Sequence, residues 1–348
     1  MNILKQVLGI DVAQKELVVC LSKLNADLSI EHYANKVFSN KESGFVALIK
    51  WVKKLTIESV EVHFVMEATG VYHQKFAYYL DANGFNVSIV LPNKISNYMR
   101  TLENRTITDK TCAEAIAQFG LERKLDKWQK PNIIYKSLQQ LTREREQIVE
   151  ERSIVKNQLH AENAEGEPNA NSIKRLKARI KFLNQQEKEI KQDIEKCIKK
   201  DESIEKEIKN ITTIPGVGRL TATIVLAEIN GFELIRNKKQ LISYSGLDVR
   251  EKQSGTSVKG KPRISKKGNK FLRKAMFFPA LSAVKYEQNY KEIYARLVSK
   301  NGIKMKGLVA VQRKLLELIY IIFKNKTVYQ SDYDKEKRAQ LQIVEVAL

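Results

Sequence analysis

Cysteine and histidine are scarce in this 348-residue chain, with three and four copies. Cys20, Cys112 and Cys197 stand far apart, with no CxxC pair and no Cys/His pairing, which excludes a disulfide framework and a zinc site and reads as a cytosolic protein. His32, His63, His73 and His160 show no metal spacing either and read as structural or solvated; His73, close to Glu67, is the one worth testing. Long apolar runs are missing too: none approaches the roughly 18 residues a membrane helix needs. Acidic residues fall short of basic ones, 40 Asp+Glu against 61 Lys+Arg, a net charge of +21. That excess argues against an ordinary small-metabolite enzyme and leaves two destinations, anionic membrane surface or nucleic acid. What is present, 43% hydrophobic and 8% aromatic residues, is enough for real cores in two or three domains and excludes wholesale disorder.

The first 120 residues carry strand and helix signals in a definite order. Residues 4–12 and 16–21 are short, aliphatic and separated by a tight polar turn, which predicts a hairpin; 32–39 alternates weakly as a third strand. Helical spacing follows at Phe45, Leu48, Ile49 and Val52, then a buried-strand run over 60–68. A helix over 71–83 closed by Gly84, a strand over 85–91 stopped by Pro92, and a helix from Asp109 ended by Gly120 complete the series. Three strands, helix, strand, helix, strand, helix is the order of an RNase H-like α/β domain.

From 137 to 210 the composition turns to Glu, Lys, Gln and Arg with regularly spaced aliphatics. Ile173, Leu176, Ile180, Leu183, Ile190, Ile194, Cys197, Ile204 and Ile208 fall on three-four spacing, interrupted only at Glu187 and Asp201. This predicts a coiled-coil seam of about five heptads. An earlier set, Leu138, Leu141, Ile148, Val155 and Leu159, is separated from it by a turn-rich stretch with Gly166 and Pro168, so the two predict an antiparallel helical arm. Such an arm favours dimerisation over a mere spacer. A third, mainly helical unit runs from 211 to about 326, and the tail after Tyr329 begins polar.

Residues 211–225, ITTIPGVGRLTATIV, match the helix-hairpin-helix pattern: Gly216 and Gly218 allow close backbone approach, and N-H groups at the next helix start can hold a phosphate without reading a base. A tight turn that binds nothing is an equal reading of this string alone. The neighbouring charge tips the balance. Between 251 and 274 lie nine cations, Lys252, Lys259, Lys261, Arg263, Lys266, Lys267, Lys270, Arg273 and Lys274, with one Glu and with Gly255, Gly260 and Gly268. This loop lacks the apolar face that interfacial insertion requires and suits a phosphate backbone.

Asp11 ends the first strand and Glu67 the fourth, so this topology brings the two carboxylates together, and Asp109 at a helix start offers a third. Converging carboxylates repel, and a divalent cation such as magnesium relieves them with hard oxygen ligands. Each residue singly is more often a solvated turn Asp, a strand-end Glu or a dipole-favoured helix-start acid. Their joint placement raises the metal reading above that.

Taken in order, the strings GIDVAQKE, MEATGVYH, TDKTCAEAIAQFG, IPGVG, SYSGL and SGTSVKGKPRISKKGNKFLRKA resemble those of the DEDD insertion-sequence transposases of IS110 type. That family includes the Piv pilin-gene invertase and the bridge-RNA-guided recombinases. The resemblance spans about residues 5–325. It implies a RuvC-like catalytic domain over 1–130, a coiled-coil arm over 131–210, a helical transposase domain with a nucleophilic serine over 211–328, and a tail over 329–348. Asp11, Glu67 and Asp109 match the first three acids, which would hold Mg2+ or Mn2+, and Ser254 matches the serine, with Ser257 and Ser265 as nearby rivals. Gly216, Gly218, Lys259, Lys261, Arg263, Lys266, Lys267, Lys270 and Arg273 are the expected nucleic-acid contacts. The implied partners are element-end DNA, target DNA, a guide RNA and further copies of the chain as dimer or tetramer, with no membrane, in a bacterial cytoplasm at the nucleoid. The departure is Cys112, which stands where the family has its fourth acid; thiolate is a soft ligand and replaces carboxylate poorly. Glu114 lies roughly 140° round the helix from Asp109 and cannot substitute. Either three acids suffice, the favoured reading, or the copy is impaired. The alternatives are a junction-resolving nuclease that uses the acids alone and a non-catalytic binding remnant.

Overall fold

The computed structural model of the protein describes residues 3–331 apart from 69, 103–105, 234, 252, 255–257 and 261. It divides into two compact units, 1–130 and 131–348. In the first, β1 (Ile3–Val12), β2 (Glu16–Asn25) and β3 (Ile30–Ser39) form an antiparallel meander, and β4 (Val62–Glu67) and β5 (Asn86–Val90) add parallel to β1, giving the order β3-β2-β1-β4-β5. This is the RNase H-like arrangement, and its central strands are buried on both faces, successive side chains going to opposite sides. Leu8, Ile10, Val12, Phe64 and Met66 face α1 (Glu42–Leu55) and α2 (Gln74–Ala82). Val7 and Val65, on the opposite face, pack on Ala113, Ile116 and Ala117 of α4 (Asp109–Glu122), with α3 (Pro92–Met99) beside it.

Two glycines let α4 lie directly on the sheet. A Cβ on Gly9 would fall 2.2 Å from the Ala113 carbonyl oxygen, and one on Gly120 would fall 2.9 Å from methyls of both Val7 and Val65. Gly120 therefore does not end the helix, as its sequence position suggests; α4 runs through it to Glu122, and the missing side chain is used for packing. The helix end is closed by Lys5, whose ammonium donates to the carbonyls of Gly120, Leu121 and Arg123. Pro92 likewise does more than stop β5, since it opens α3 at a first-turn position where its missing N-H costs nothing.

The second unit begins with two long antiparallel helices, α5 (Ile133–Ala164) and α6 (Ala170–Ile198), joined by a turn in which Asn169 caps α6 through the N-H groups of Asn171 and Ser172. Leu138, Ile148, Val155, Leu183, Ile190, Ile194 and Cys197 are buried along their seam. The seam stops short of the expected length. The chain turns at 199–201, and Asp201 caps a separate helix α7 (Glu202–Thr212) through Ser203 and Ile204, so Ile204 and Ile208 serve another packing surface. Glu187, the acid that interrupts the aliphatic pattern, is buried in the seam among Arg145 at 2.7 Å, Lys191 at 3.0 Å and Arg152. Burial alone would raise its carboxyl, but hydrogen bonds from these three cations hold it down at about 2.

Beyond α7 come α8 (Arg219–Glu228), α9 (Lys238–Ser245), four two-residue strands, then α10 (Lys270–Ala275), α11 (Phe277–Tyr286), α12 (Gln288–Asn301) and α13 (Lys304–Asn325). The strands are β6 (Val249–Arg250), β7 (Gln253–Ser254), β8 (Val258–Lys259) and β9 (Arg263–Ile264), with β6 paired to β9 and β7 to β8. One continuous apolar core runs from Tyr135 to Ile322, so the root of the helical pair shares its interior with the later helices. Among the described residues no helix is long and apolar enough to cross a membrane.

Candidate active site and nucleic-acid interface

Alternation on β1 and β4 decides where the acids point. Val7, Gly9 and Asp11 share the face that α4 covers, as do Val65 and Glu67, and since Ile10 is registered against Met66 the two acids are neighbours at one end of the parallel pair. Asp109 opens α4 at that same end, beyond a reciprocal capping box between Thr108 and Thr111. The three charges feel one another: burial first, then Asp109, then Glu67, raise the Asp11 carboxyl to about 6. Cys112 lies one turn along α4, half-buried, and its thiol is pushed up by burial and then by the charges of Asp11, Glu67 and Asp109. The Cys112 thiol therefore lies within the field of all three carboxylates. Glu114 faces away, accepting from Asn35 at 3.3 Å and pairing with Lys110 at 3.8 Å.

Hard oxygen donors that raise one another's proton affinity are the donor set a divalent cation neutralises, so the chemistry of the residues fits Mg2+ or Mn2+. Their spacing is open: among the described residues no three His, Cys, Asp or Glu side chains come close enough together to enclose a metal ion. Of the histidines, His63 is buried against Ser88 at 2.8 Å and burial lowers it to about 4, His32 bonds Ser22 at 2.7 Å, His160 is exposed on α5, and His73 precedes α2.

In the second unit the hairpin glycines divide in role. Gly216 adopts φ +83°, and a Cβ there would meet the Pro279 carbonyl oxygen of α11 at 2.8 Å, so it is held by helix packing. Gly218 forms the N-cap of α8 with open space around it, and no side chain caps the helix start. That end can receive a phosphate. The basic stretch is a two-stranded ribbon rather than an irregular loop. Ser254 and Lys259 lie on its β7 and β8, Arg263 on β9, and Lys266, Lys267 and Lys270 are exposed where it returns to α10. Lys261, with Lys252, Gly255 and Ser257, lies outside the described residues. Arg273 turns inward to the Ser245 carbonyl at 2.8 Å, and Lys274 pairs with Glu146 and Glu150 of α5. Ser265 donates to Asp248 at 2.5 Å, closing the ribbon's base.

One group had no signal in the sequence. Glu228, at the end of α8, is fully buried and accepts two hydrogen bonds from Arg143 of α5 at 2.7 and 2.8 Å and one from Asn269 at 2.6 Å. Asn269 in turn caps α10 through Leu272, and Arg143 stacks over Phe271. A single carboxylate thus ties the root of the arm to the ribbon's exit.

Residues 8–162 match the transposase family model of the DEDD IS110 type, and residues 208–295 match the model described as the transposase IS116/IS110/IS902 family. The pilin gene-inverting protein of Moraxella lacunata is 28% identical over 323 residues, covering 92% of this chain and 96% of that protein. The transposase for insertion sequence element IS1111A of Coxiella burnetii is 23% identical over 355 residues, covering 93% of this chain and 91% of that one. Among solved structures, T. thermophilus RuvC in complex with Holliday junction substrate aligns over 35% of this chain and 99% of that chain at 10% identity, with a TM-score of 0.28. The two units are therefore those of a transposase. The chain belongs to the IS110 family and is related to the pilin gene-inverting proteins.

Proposed function

We propose that the protein is the DNA recombinase of an insertion sequence, cutting and rejoining strands through a covalent phosphoserine at Ser254, with a guide RNA selecting the sites. The observation that carries the reading is the convergence of Asp11, Glu67 and Asp109 at one sheet end, in a chain that matches the pilin gene-inverting proteins over nearly its whole length. Asp11, Glu67 and Asp109 would hold Mg2+ or Mn2+, which supplies Lewis-acid stabilisation of charge on the phosphoryl oxygens. Three acids suffice in this reading, and Cys112 leaves the fourth position to water. The Ser254 hydroxyl attacks the phosphodiester, a serine-phosphate bond forms as the bond to the leaving DNA oxygen breaks, and the ribbon's Lys and Arg neutralise the developing charge. Bond energy is thereby kept for rejoining. The paired helices α5 and α6 serve as a coiled-coil arm that joins copies of the chain, and the turn with Gly218 together with Lys259, Arg263, Lys266, Lys267 and Lys270 grips backbone phosphates.

The test is denaturing-gel capture of protein bound covalently to labelled element-end DNA, with sequencing of the RNA that copurifies. A phosphoserine adduct mapped to Ser254 and lost in Ser254→Ala supports the reading. Magnesium-dependent cleavage with no adduct would instead make the protein a junction-resolving nuclease, and neither cleavage nor adduct would leave a binding remnant.

A further inference from the structure

On the side of the sheet covered by α1 and α2, the first unit has a cleft of about 410 Å³, lined by Asn40, Lys41, Glu42, Phe45, Lys75 and Tyr79. That is within the range of small-ligand pockets, on the order of 300–1,000 Å³. Two helices begin at it. Lys41 is the N-cap of α1 and Lys75 lies in the first turn of α2, and neither helix start has a side-chain cap. Each start carries partial positive charge, to which the two ammonium groups add; the Glu42 carboxylate offsets only part of this. The floor is aromatic: Phe45 is buried against Phe76 and packs at 5.4 Å on the half-buried Tyr79.

Asn40 connects this cleft to the acids. It is nine-tenths buried, and its amide donates to the Ala13 carbonyl at 2.9 Å and the Tyr72 carbonyl at 3.2 Å, while its Oδ1 is buried with no donor. Ala13 follows Asp11 by two residues, and Tyr72 lies in the turn that follows Glu67. The cleft wall is therefore fastened to both acid-bearing chain segments. Cations, an aromatic surface and an amide side by side are what a single nucleotide needs. We propose that this cleft holds a nucleotide of the DNA strand that reaches the acids, its phosphodiester on Lys41 and Lys75 and its base against Tyr79. The proposal rests on the recombinase reading only for the identity of that strand.

The test is fluorescence anisotropy of the full-length protein with labelled single-stranded oligothymidylate and oligouridylate across a salt series. The Lys41→Gln/Lys75→Gln double variant should bind oligothymidylate about 10-fold more weakly, with the salt slope reduced by roughly 1.4, or 0.7 per lost contact. The control Lys53→Gln/Lys54→Gln, at the far end of α1, should leave both unchanged. Oligothymidylate carrying 5-iododeoxyuridine should crosslink to Tyr79. Equal losses in both double variants, a loss confined to oligouridylate, or crosslinks that avoid Tyr79 would each overturn the assignment. Normal binding by the cleft variant with intact adduct formation removes the cleft alone, whereas weakened binding with no Ser254 adduct keeps the cleft and removes the recombinase.

Discussion

The acidic end of the sheet and the basic ribbon are built on opposite principles. Asp11, Glu67, Asp109 and Cys112 hang from a strand pair and a helix pressed together by apolar packing and two glycines, so the interior dictates where their side chains point. The ribbon has four two-residue strands and no core of its own. It is fixed at its base by polar contacts: Ser265 to Asp248, Asn269 to Glu228, Arg273 to Ser245. Packing gives a fixed array of carboxylates, while hydrogen bonds hold a strand pair that projects exposed cations. In the proposed function, the chemistry that must be rigid sits in the first region, and the contacts that must adapt to a partner sit in the second.

The largest expected effect tests the first region. Asp11→Ala should lower DNA cleavage by about 10³-fold or more while nucleic-acid affinity and its salt slope stay unchanged, because the acids act on the reaction and the ribbon supplies the electrostatic footprint. Cleavage within a few-fold of wild type would remove Asp11 from the site. Next comes the second region's anchor. Glu228→Ala leaves the Arg143 guanidinium without its carboxylate and Asn269 without an acceptor; about 3–5 kcal/mol should be lost, less whatever exposure of Arg143 relieves. Hydrogen exchange over 246–270 should rise ahead of exchange in β1 and β4. If both rise together, the ribbon is not separately anchored.

A smaller loss is expected where packing is perturbed. Gly9→Ala forces α4 off the sheet and should cost about 1–3 kcal/mol in a melting experiment, with cleavage reduced beyond what the stability change explains. The buried His63 gives a similar figure through pH. Its pKa is about 4 in the folded protein against an ordinary 6.5, so protonation favours the unfolded chain. The contribution is complete above pH 6.5 and disappears as pH falls toward 4, a change of roughly 2–3 kcal/mol that His63→Gln should abolish in urea titrations. The smallest effect is expected at Cys112. Cys112→Asp adds a charge to a cluster already raised by repulsion, so it should lower the melting temperature in chelator and regain the loss in millimolar magnesium, with cleavage equal to or a few-fold above wild type. No magnesium dependence in that shift would mean Cys112 does not face a cation site.

The sheet and its acids are legible in the sequence because alternating and continuous apolar runs report burial directly, and Asp11 and Glu67 fall at the ends of such runs. Gly120 is misleading for a physical reason: a glycine that ends a helix and a glycine that lets a helix touch a sheet look alike along the chain. The periodicity over-extends the seam because Ile204 and Ile208 keep its period, while the cap at Asp201 redirects them to another helix. Strands of two residues leave no periodicity to read, which hid the ribbon inside its cations. Glu228 was invisible because its partners Arg143 and Asn269 lie 85 and 41 residues away.

Glu187 has a mechanical consequence for the arm. If α5 and α6 slid past each other by one turn, about 5.4 Å, Arg145 and Arg152 would meet aliphatic seam positions with no carboxylate between them. Two largely covered guanidinium groups would then be stranded, so the pair has one favoured alignment and resists shear. The arm is thus a strut of set length. Whatever its tip holds stays at a constant distance from the α5 root, where Arg143 meets Glu228, and a pull at one end arrives at the other undiminished by slippage.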